Sequence, residues 1–176
     1  MTETTVQSLP AQVKVDCRVL ILGSMPGVAS LQGECYYAHP RNRFWPLMGA
    51  LCDFDPRAAY DQRMAALQAA GAGLWDVIGR CERRGSLDAA IVRGSEVANP
   101  LPALIQRLPR LQLIACNGAS AARAFERFVQ PRLAAEAARL PLLALPSTSP
   151  ANAAWSFDRL LQEWRQLAPV LAAPSL

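Results

Sequence analysis

Apolar and polar residues fall in alternating blocks along the chain. Residues 18–23 (RVLILG) are a short apolar run ending in glycine, which predicts a buried strand. Residues 24–43 follow as a long irregular stretch containing Gly, Pro and Tyr. Structureless stretches of that length in compact domains usually carry function. Residues 44–52 read as a helix. Asp55 and Pro56 look like a cap and a first-turn proline, opening a helix that ends near Gly71. Residues 73–78 (GLWDVI) predict a second strand, and residues 80–91 another polar loop with room for a helix. Asn99 and Pro100 cap a helix running to about Leu108. Residues 111–116 (LQLIAC) predict a third strand, Asn117-Gly118 a turn, and residues 119–129 a helix. Residues 140–145 predict a fourth strand. Ser149-Pro150 caps a last helix, in which Ala154, Phe157, Leu161, Trp164 and Ala168 recur at helical spacing.

Strands therefore alternate with helices, and each strand is apolar along its length, as strands covered on both faces are. The pattern predicts an α/β fold, a three-layer α/β/α sandwich around a parallel sheet. No internal repeat or linker interrupts it. Residues 1–15 read as a flexible leader and residues 16–170 as a single domain. In such folds ligands bind beyond the C-terminal strand ends. Four segments meet there: residues 24–43, residues 80–88, Asn117-Gly118 and residues 146–152.

Composition narrows the chemistry. Of 176 residues, 52% are apolar and 18% charged, which argues for an ordered globular chain. No apolar run approaches the ~18 residues of a membrane span. The first residues, MTETTVQSLPAQ, lack the apolar core of a signal segment, so a cytoplasmic protein is expected. Five cysteines (Cys17, Cys35, Cys52, Cys81, Cys116) are widely spaced, with no C-x-x-C pair, and read as reduced thiols. His39 is the single histidine, which argues against a His-rich metal site; neither metal nor cofactor is expected. The net charge of +4 rests on seventeen arginines and one lysine, Lys14. It permits nucleic-acid binding without requiring it.

Three segments carry candidate chemistry. Gly23-Ser24-Met25-Pro26-Gly27 makes a tight turn after the first strand, where a ligand can approach the backbone closely. It has neither the dinucleotide-binding nor the Walker spacing. Tyr36 to Trp45 (YYAHPRNRFW) packs aromatics, His39, Arg41, Arg43 and Asn42 into ten residues, a mixture suited to a flat base and a phosphate backbone. Phe44 and Trp45 within it read as core. Pro146 to Asn152 (PSTSPAN) offers three hydroxyls at an expected helix N-terminus, either a phosphate pocket or plain capping.

The spaced set GSMPG, YYAHPRNRFW, RGSLD, CNG and PSTSPAN resembles the uracil-DNA glycosylase superfamily, and most closely its hypoxanthine (deoxyinosine) DNA glycosylase branch. The likeness runs from about residue 17 to residue 165, and the Tyr36–Trp45 segment is its specific part. It implies a base-excision repair enzyme with a central four-stranded parallel sheet. Such an enzyme flips a damaged base out of double- or single-stranded DNA and hydrolyses its N-glycosidic bond. Met25 stands where the mismatch-specific uracil branch places its water-positioning Asn. The resemblance instead gives the catalytic role to Asn42 and a second functional place to Asn117. It puts the base-stacking aromatic at Tyr37, or at Tyr36 if the alignment slips by one. The second motif falls at Ser147–Asn152, with Ser147 or Ser149 as its serine.

On this reading Asn42 orients a water and contributes a dipole. Asn117 reads the amide-like edge of the base, within a pocket shaped by Ser24 and Met25. Ser147, Ser149, Arg41 and Arg43 grip phosphates. His39 is a candidate proton donor to the purine, and Glu34 and Asp88 are candidate water activators. Lys14 precedes the first strand, opposite the site, so a Schiff-base strand nick is not expected and the enzyme is monofunctional. A monomer is the default. Uracil or mismatch specificity, a non-catalytic lesion-binding module and a nucleoside-binding domain are the competing readings.

Overall fold

In the computed structural model, which describes residues 4–171, the described residues form seven strands. They are β1 (Thr5–Gln7), β2 (Val19–Gly23), β3 (Ala72–Asp76), β4 (Ile78–Glu82), β5 (Val97–Ala98), β6 (Leu113–Asn117) and β7 (Leu142–Leu145). The helices used below are α1 (Val28–Gly33), α2 (Phe44–Cys52), α3 (Tyr60–Ala69), α4 (Leu101–Gln106), α5 (Ala119–Phe128) and α6 (Phe157–Trp164). Four strands make a parallel sheet in the order β3-β2-β6-β7. The expected sandwich is the observed one.

Alternation along β2 shows why the strands are apolar throughout. Val19 and Ile21 pack on one side with Phe44, Leu47 and Met48 of α2, Leu67 of α3, and Leu160 and Trp164 of α6. Leu20 and Leu22 pack on the other with Leu101 and Ile105 of α4 and Phe125 of α5. Successive side chains of a strand point to opposite faces, and both faces here are covered. Burying each large side chain contributes roughly 1.5–3 kcal/mol.

From the central strand β2 the chain moves outward to β3, then returns to the other side of β2 as β6. The C-terminal ends of β2 and β6 thus flank a topological switch point, where loops diverge and leave a crevice. Gly23 pairs in register with Asp76, and Asn117 with Leu145. The crevice floor is therefore built from the ends of four neighbouring strands.

Several local expectations are corrected. Described residues 4–15 are not a loose leader: β1 pairs antiparallel with β4, Leu9 is buried, and Gln12 bridges to Leu74. Residues 1–3 of that stretch lie outside the described residues. The three-residue strand TVQ carries no periodic signal, and a partner some 75 residues away supplies its pairing. Second, the strand expected at 73–78 divides at Val77, and β4 leaves for a small antiparallel sheet ordered β1-β4-β5. Third, Asp55 accepts from Arg57 N at 2.9 Å and closes only a turn, so α3 starts later, at Tyr60. Asn99 likewise caps nothing; its amide donates to Asp76 O at 2.8 Å and Ser8 Oγ at 3.1 Å. Fourth, α6 begins at Phe157, where Ser156 Oγ accepts from Arg159 N at 3.2 Å. Ser149-Pro150 therefore belongs to a loop, and the three hydroxyls of 147–149 do not sit at a helix N-terminus.

Candidate active site

A cavity of about 350 Å³ opens at the C-terminal strand ends. That lies within the usual range for small-ligand pockets. Gly23, Ser24, Met25, Pro26 and Gly27 form one side, Tyr37, His39 and Asn42 another, and Asn117 and residues 147–151 a third. Ser86, Leu87 and Asp88 close the remaining side. The four segments expected at the strand ends meet here.

A chain of hydrogen bonds fixes the two asparagines. Asn42 Oδ1 accepts from Phe44 N and from Thr148 Oγ1, both at 2.9 Å. Asn117 Oδ1 accepts from Thr148 N at 3.0 Å, while its Nδ2 donates to Thr148 Oγ1 at 3.0 Å. The backbone N–H donors determine which end of each amide is oxygen. Both lone pairs of Asn42 Oδ1 are thereby engaged, and its Nδ2 group is the end with donors to offer. Thr148 is fully buried and stands between the two asparagines.

Tyr37 adopts a left-handed backbone (φ 55°) and stacks on Phe44 with ring centroids 3.9 Å apart. Burial, then nearby Asp76, raises the Tyr37 hydroxyl above its ordinary range, partly offset by a hydrogen bond with Asn117. Tyr37 therefore stays a neutral phenol. Tyr36 is almost wholly buried and donates to Pro10 O at 2.7 Å. Its hydroxyl is committed to holding the N-terminal segment, so of the two tyrosines Tyr37 has the freer hydroxyl at the cavity.

The arginines divide. Arg43 donates to the carbonyls of Trp155 and, at 2.9 Å, Asn152. Its guanidinium ties down the 149–155 loop and is not held out for a phosphate, which corrects that expectation. Arg41 is exposed, and its backbone N donates to His39 Nδ1 at 3.1 Å. Ser147 Oγ accepts from Ser149 N, and Ser149 Oγ from Ala151 N, each at 3.2 Å. Each hydroxyl keeps its own proton to donate. Glu34 is exposed on the αL turn after α1 and does not line the cavity. Asp88 does line it, and accepts from Ser24 Oγ at 2.6 Å.

Two residues at the site escaped the sequence reading. One is Thr148, read only as one of three hydroxyls in residues 146–152 and not as the link between the asparagines. The other is Asp76, at the end of β3. Asp76 lines the cavity at 4% exposure, and its Oδ2 has no hydrogen-bond partner among the described residues. A Cβ on the paired Gly23 would collide with Asp76 Oδ1, so glycine is required for the carboxyl to lie there. Burial pushes the Asp76 carboxyl up to about 7, Asp88 adds to the rise and Arg83 opposes it. A lone acid closing an apolar strand, GLWD, was the available signal. Buried Arg83 also holds the turn of residues 23–27 by donating to Met25 O and Pro26 O. At the mouth, Leu87 is 60% exposed, between Ser86, which accepts from Val28 N at 2.9 Å, and the anchored Asp88.

A family model for the uracil DNA glycosylase superfamily matches residues 10–168. A hypoxanthine DNA glycosylase of Methanosarcina barkeri (strain Fusaro / DSM 804) is 36% identical over 113 residues, 64% of this chain and 70% of that protein. The hypoxanthine DNA glycosylase of Methanosarcina acetivorans is also 36% identical, over 65% of this chain and 72% of that one. The solution NMR structure of a Methanosarcina acetivorans protein described as a uracil DNA glycosylase aligns with a TM-score of 0.80 at 30% identity, covering 96% of this chain and 99% of that one. A match over nearly the whole described length, on this fold, means that the chain belongs to the uracil-DNA glycosylase superfamily.

Proposed function

We propose that this protein is a monofunctional DNA glycosylase of base-excision repair. It flips a deaminated base, hypoxanthine in preference, into the cavity and hydrolyses its N-glycosidic bond, leaving an abasic site. The observation that carries the reading is the Asn117–Thr148–Asn42 network on the wall of a cavity with room for a base, in a member of this superfamily. The two relatives named hypoxanthine DNA glycosylase support the choice of base.

Hydrolysis of a deoxynucleoside bond passes through an oxocarbenium-like sugar, which even a weakly activated water can capture. Asn42 suits that chemistry. Its Nδ2 donates into one lone pair of the water and leaves another to attack C1′. Asn117 lies close enough to Tyr37 to help place the base. Stacking of the flipped base on Tyr37 is worth ~1–3 kcal/mol. Ser147, Ser149 and Arg41 contact the phosphates beside the lesion. Ser24 and Met25 shape the pocket, and His39 borders the leaving purine. Leu87, apolar and exposed at the mouth, fills the gap in the stack left by the flipped base.

Exposed Lys14 lies before β2, at the end of the sheet away from the cavity, which supports water rather than an amine as nucleophile. The described cysteines are all free thiols, in keeping with a reducing, cytoplasmic setting, and the enzyme acts as a monomer. No helix among the described residues is long and apolar enough to cross a membrane. The test compares substrates: hypoxanthine should be released from duplex or single-stranded DNA, less readily at high salt, and not from free deoxyinosine. Equal action on the free nucleoside would overturn the reading. The relative described as a uracil DNA glycosylase makes uracil the second substrate to try.

A further inference from the structure

Asp76 is the one carboxyl on the cavity lining that is nine-tenths buried and has an oxygen without a partner, among the described residues. Its position on the cavity lining is fixed by three independent features. Gly23 leaves room above it, Asn99 Nδ2 holds its backbone carbonyl at 2.8 Å, and β3 pairs with β2 along its length. An unpaired, buried carboxyl costs stability unless it keeps its proton or finds a partner. Its persistence at a pocket wall calls for a ligand that supplies one.

Deamination changes one edge of a base. Adenine presents an amino group, a donor, where hypoxanthine presents O6, an acceptor; cytosine and uracil differ in the same sense. DNA enters a cavity from outside, so a flipped base leads with the edge farthest from its sugar. Asp76 is buried on the cavity lining, a place suited to that edge, whereas Leu87 and His39 on the same lining are exposed. A carboxylate would accept from the amino group of an undamaged base. A carboxylic acid has a proton to donate, which an oxo group accepts and an amino group does not.

We infer that Asp76 works as a buried carboxylic acid that donates its proton to the oxo-bearing edge of the flipped base, selecting deaminated bases and assisting their departure. The inference rests on the glycosylase reading above. The electron pair of the C1′–N9 bond passes to the purine as that bond breaks. The Asp76 proton moves to O6 and neutralises the departing base as its hydroxy tautomer, leaving a carboxylate. Water forms the new C1′–O bond, and the proton it loses to solvent is balanced by reprotonation of Asp76.

The surroundings favour this state. Asp88 faces Asp76 from the loop after β4, and its charge opposes ionisation, while Arg83 from the same segment favours it. Tyr36 and Tyr37, from the segment before α2, both feel the Asp76 charge and both stay neutral, their own hydroxyls raised chiefly by burial. Burial is the largest influence on Asp76 and sets its titration near neutrality.

The experiment is single-turnover release of hypoxanthine from duplex DNA between pH 5 and 9, for wild type, Asp76→Asn and Asp88→Asn. The wild-type rate should be level below about 7 and fall by roughly tenfold per pH unit above it. Asp76→Asn, which keeps a donor without the titration, should lose that slope. Asp88→Asn should move the midpoint to lower pH. A wild-type rate that rises through the same window would overturn the assignment. So would an unchanged slope in Asp76→Asn or an unmoved midpoint in Asp88→Asn. Thermal unfolding gives a readout free of activity. A folded-state acid that titrates high loses stability as pH rises, so the wild-type Tm should fall relative to Asp76→Asn between about pH 4 and 7 and then level off. A Tm difference that does not change with pH would count against the buried acid. If neither hypoxanthine nor uracil is released at any pH while the Tm window is seen, the glycosylase reading fails and the buried acid stands.

Discussion

The Thr148 hydroxyl donates to Asn42 Oδ1 at 2.9 Å. Thr148 Oγ1 in turn accepts from Asn117 Nδ2 at 3.0 Å, so one buried hydroxyl links both amides. Removing the hydroxyl without changing the shape isolates that effect. Thr148→Val should lower base release about tenfold or more while the protein remains folded, and Thr148→Ser should restore most of it. Wild-type release by Thr148→Val would show that the network does not position Asn42.

Asn42 itself should matter more. Asn42→Ala should reduce single-turnover base release by at least ~10²-fold, the scale of losing a principal orienting dipole. Its effect should fall on the chemical step, with DNA binding little changed. Near-wild-type release would remove Asn42 from the mechanism.

The sheet and most of its helices were legible because their signal is local. Val19 to Gly23 and Leu113 to Cys116 are apolar without interruption, and only strands covered on both faces read that way. The four loops at the strand ends were legible for the same reason, as polar interruptions of known polarity. What escaped depended on distance. Thr5–Gln7 becomes a strand only because Glu82, Cys81 and Arg80 lie opposite it. Arg43 looked free for a phosphate until the loop at 149–155 folded across it. Ser149-Pro150 imitated a cap, while Ser156 made one. Asp76 closes a strand that looked wholly structural, and its burial beside Gly23 is a cross-strand fact. Of the loop carboxylates, Glu34 lies off the cavity lining and Asp88 is bonded to Ser24.

Lys14 is a control. Lys14→Ala should leave base release unchanged, and borohydride should trap no covalent enzyme–DNA adduct with wild type. Loss of activity in Lys14→Ala, or a trapped adduct, would mean an amine nucleophile.

Leu87 should separate paired from unpaired substrates. Leu87→Ala should slow hypoxanthine release from duplex DNA about tenfold, since the cost of unstacking a paired base is no longer offset by an apolar filler. Release from single strands should change far less. Equal slowing on both would place Leu87 outside the flipping step.

The most direct measurement uses labelled duplexes carrying one hypoxanthine or one uracil, incubated with the purified protein and then treated with alkali. Strand cleavage at hypoxanthine that requires the alkali is the expected result, because it reports base loss without lyase action. No cleavage at either base, with lesion DNA still bound, would contradict a catalytic role, and cleavage without alkali would contradict a monofunctional one.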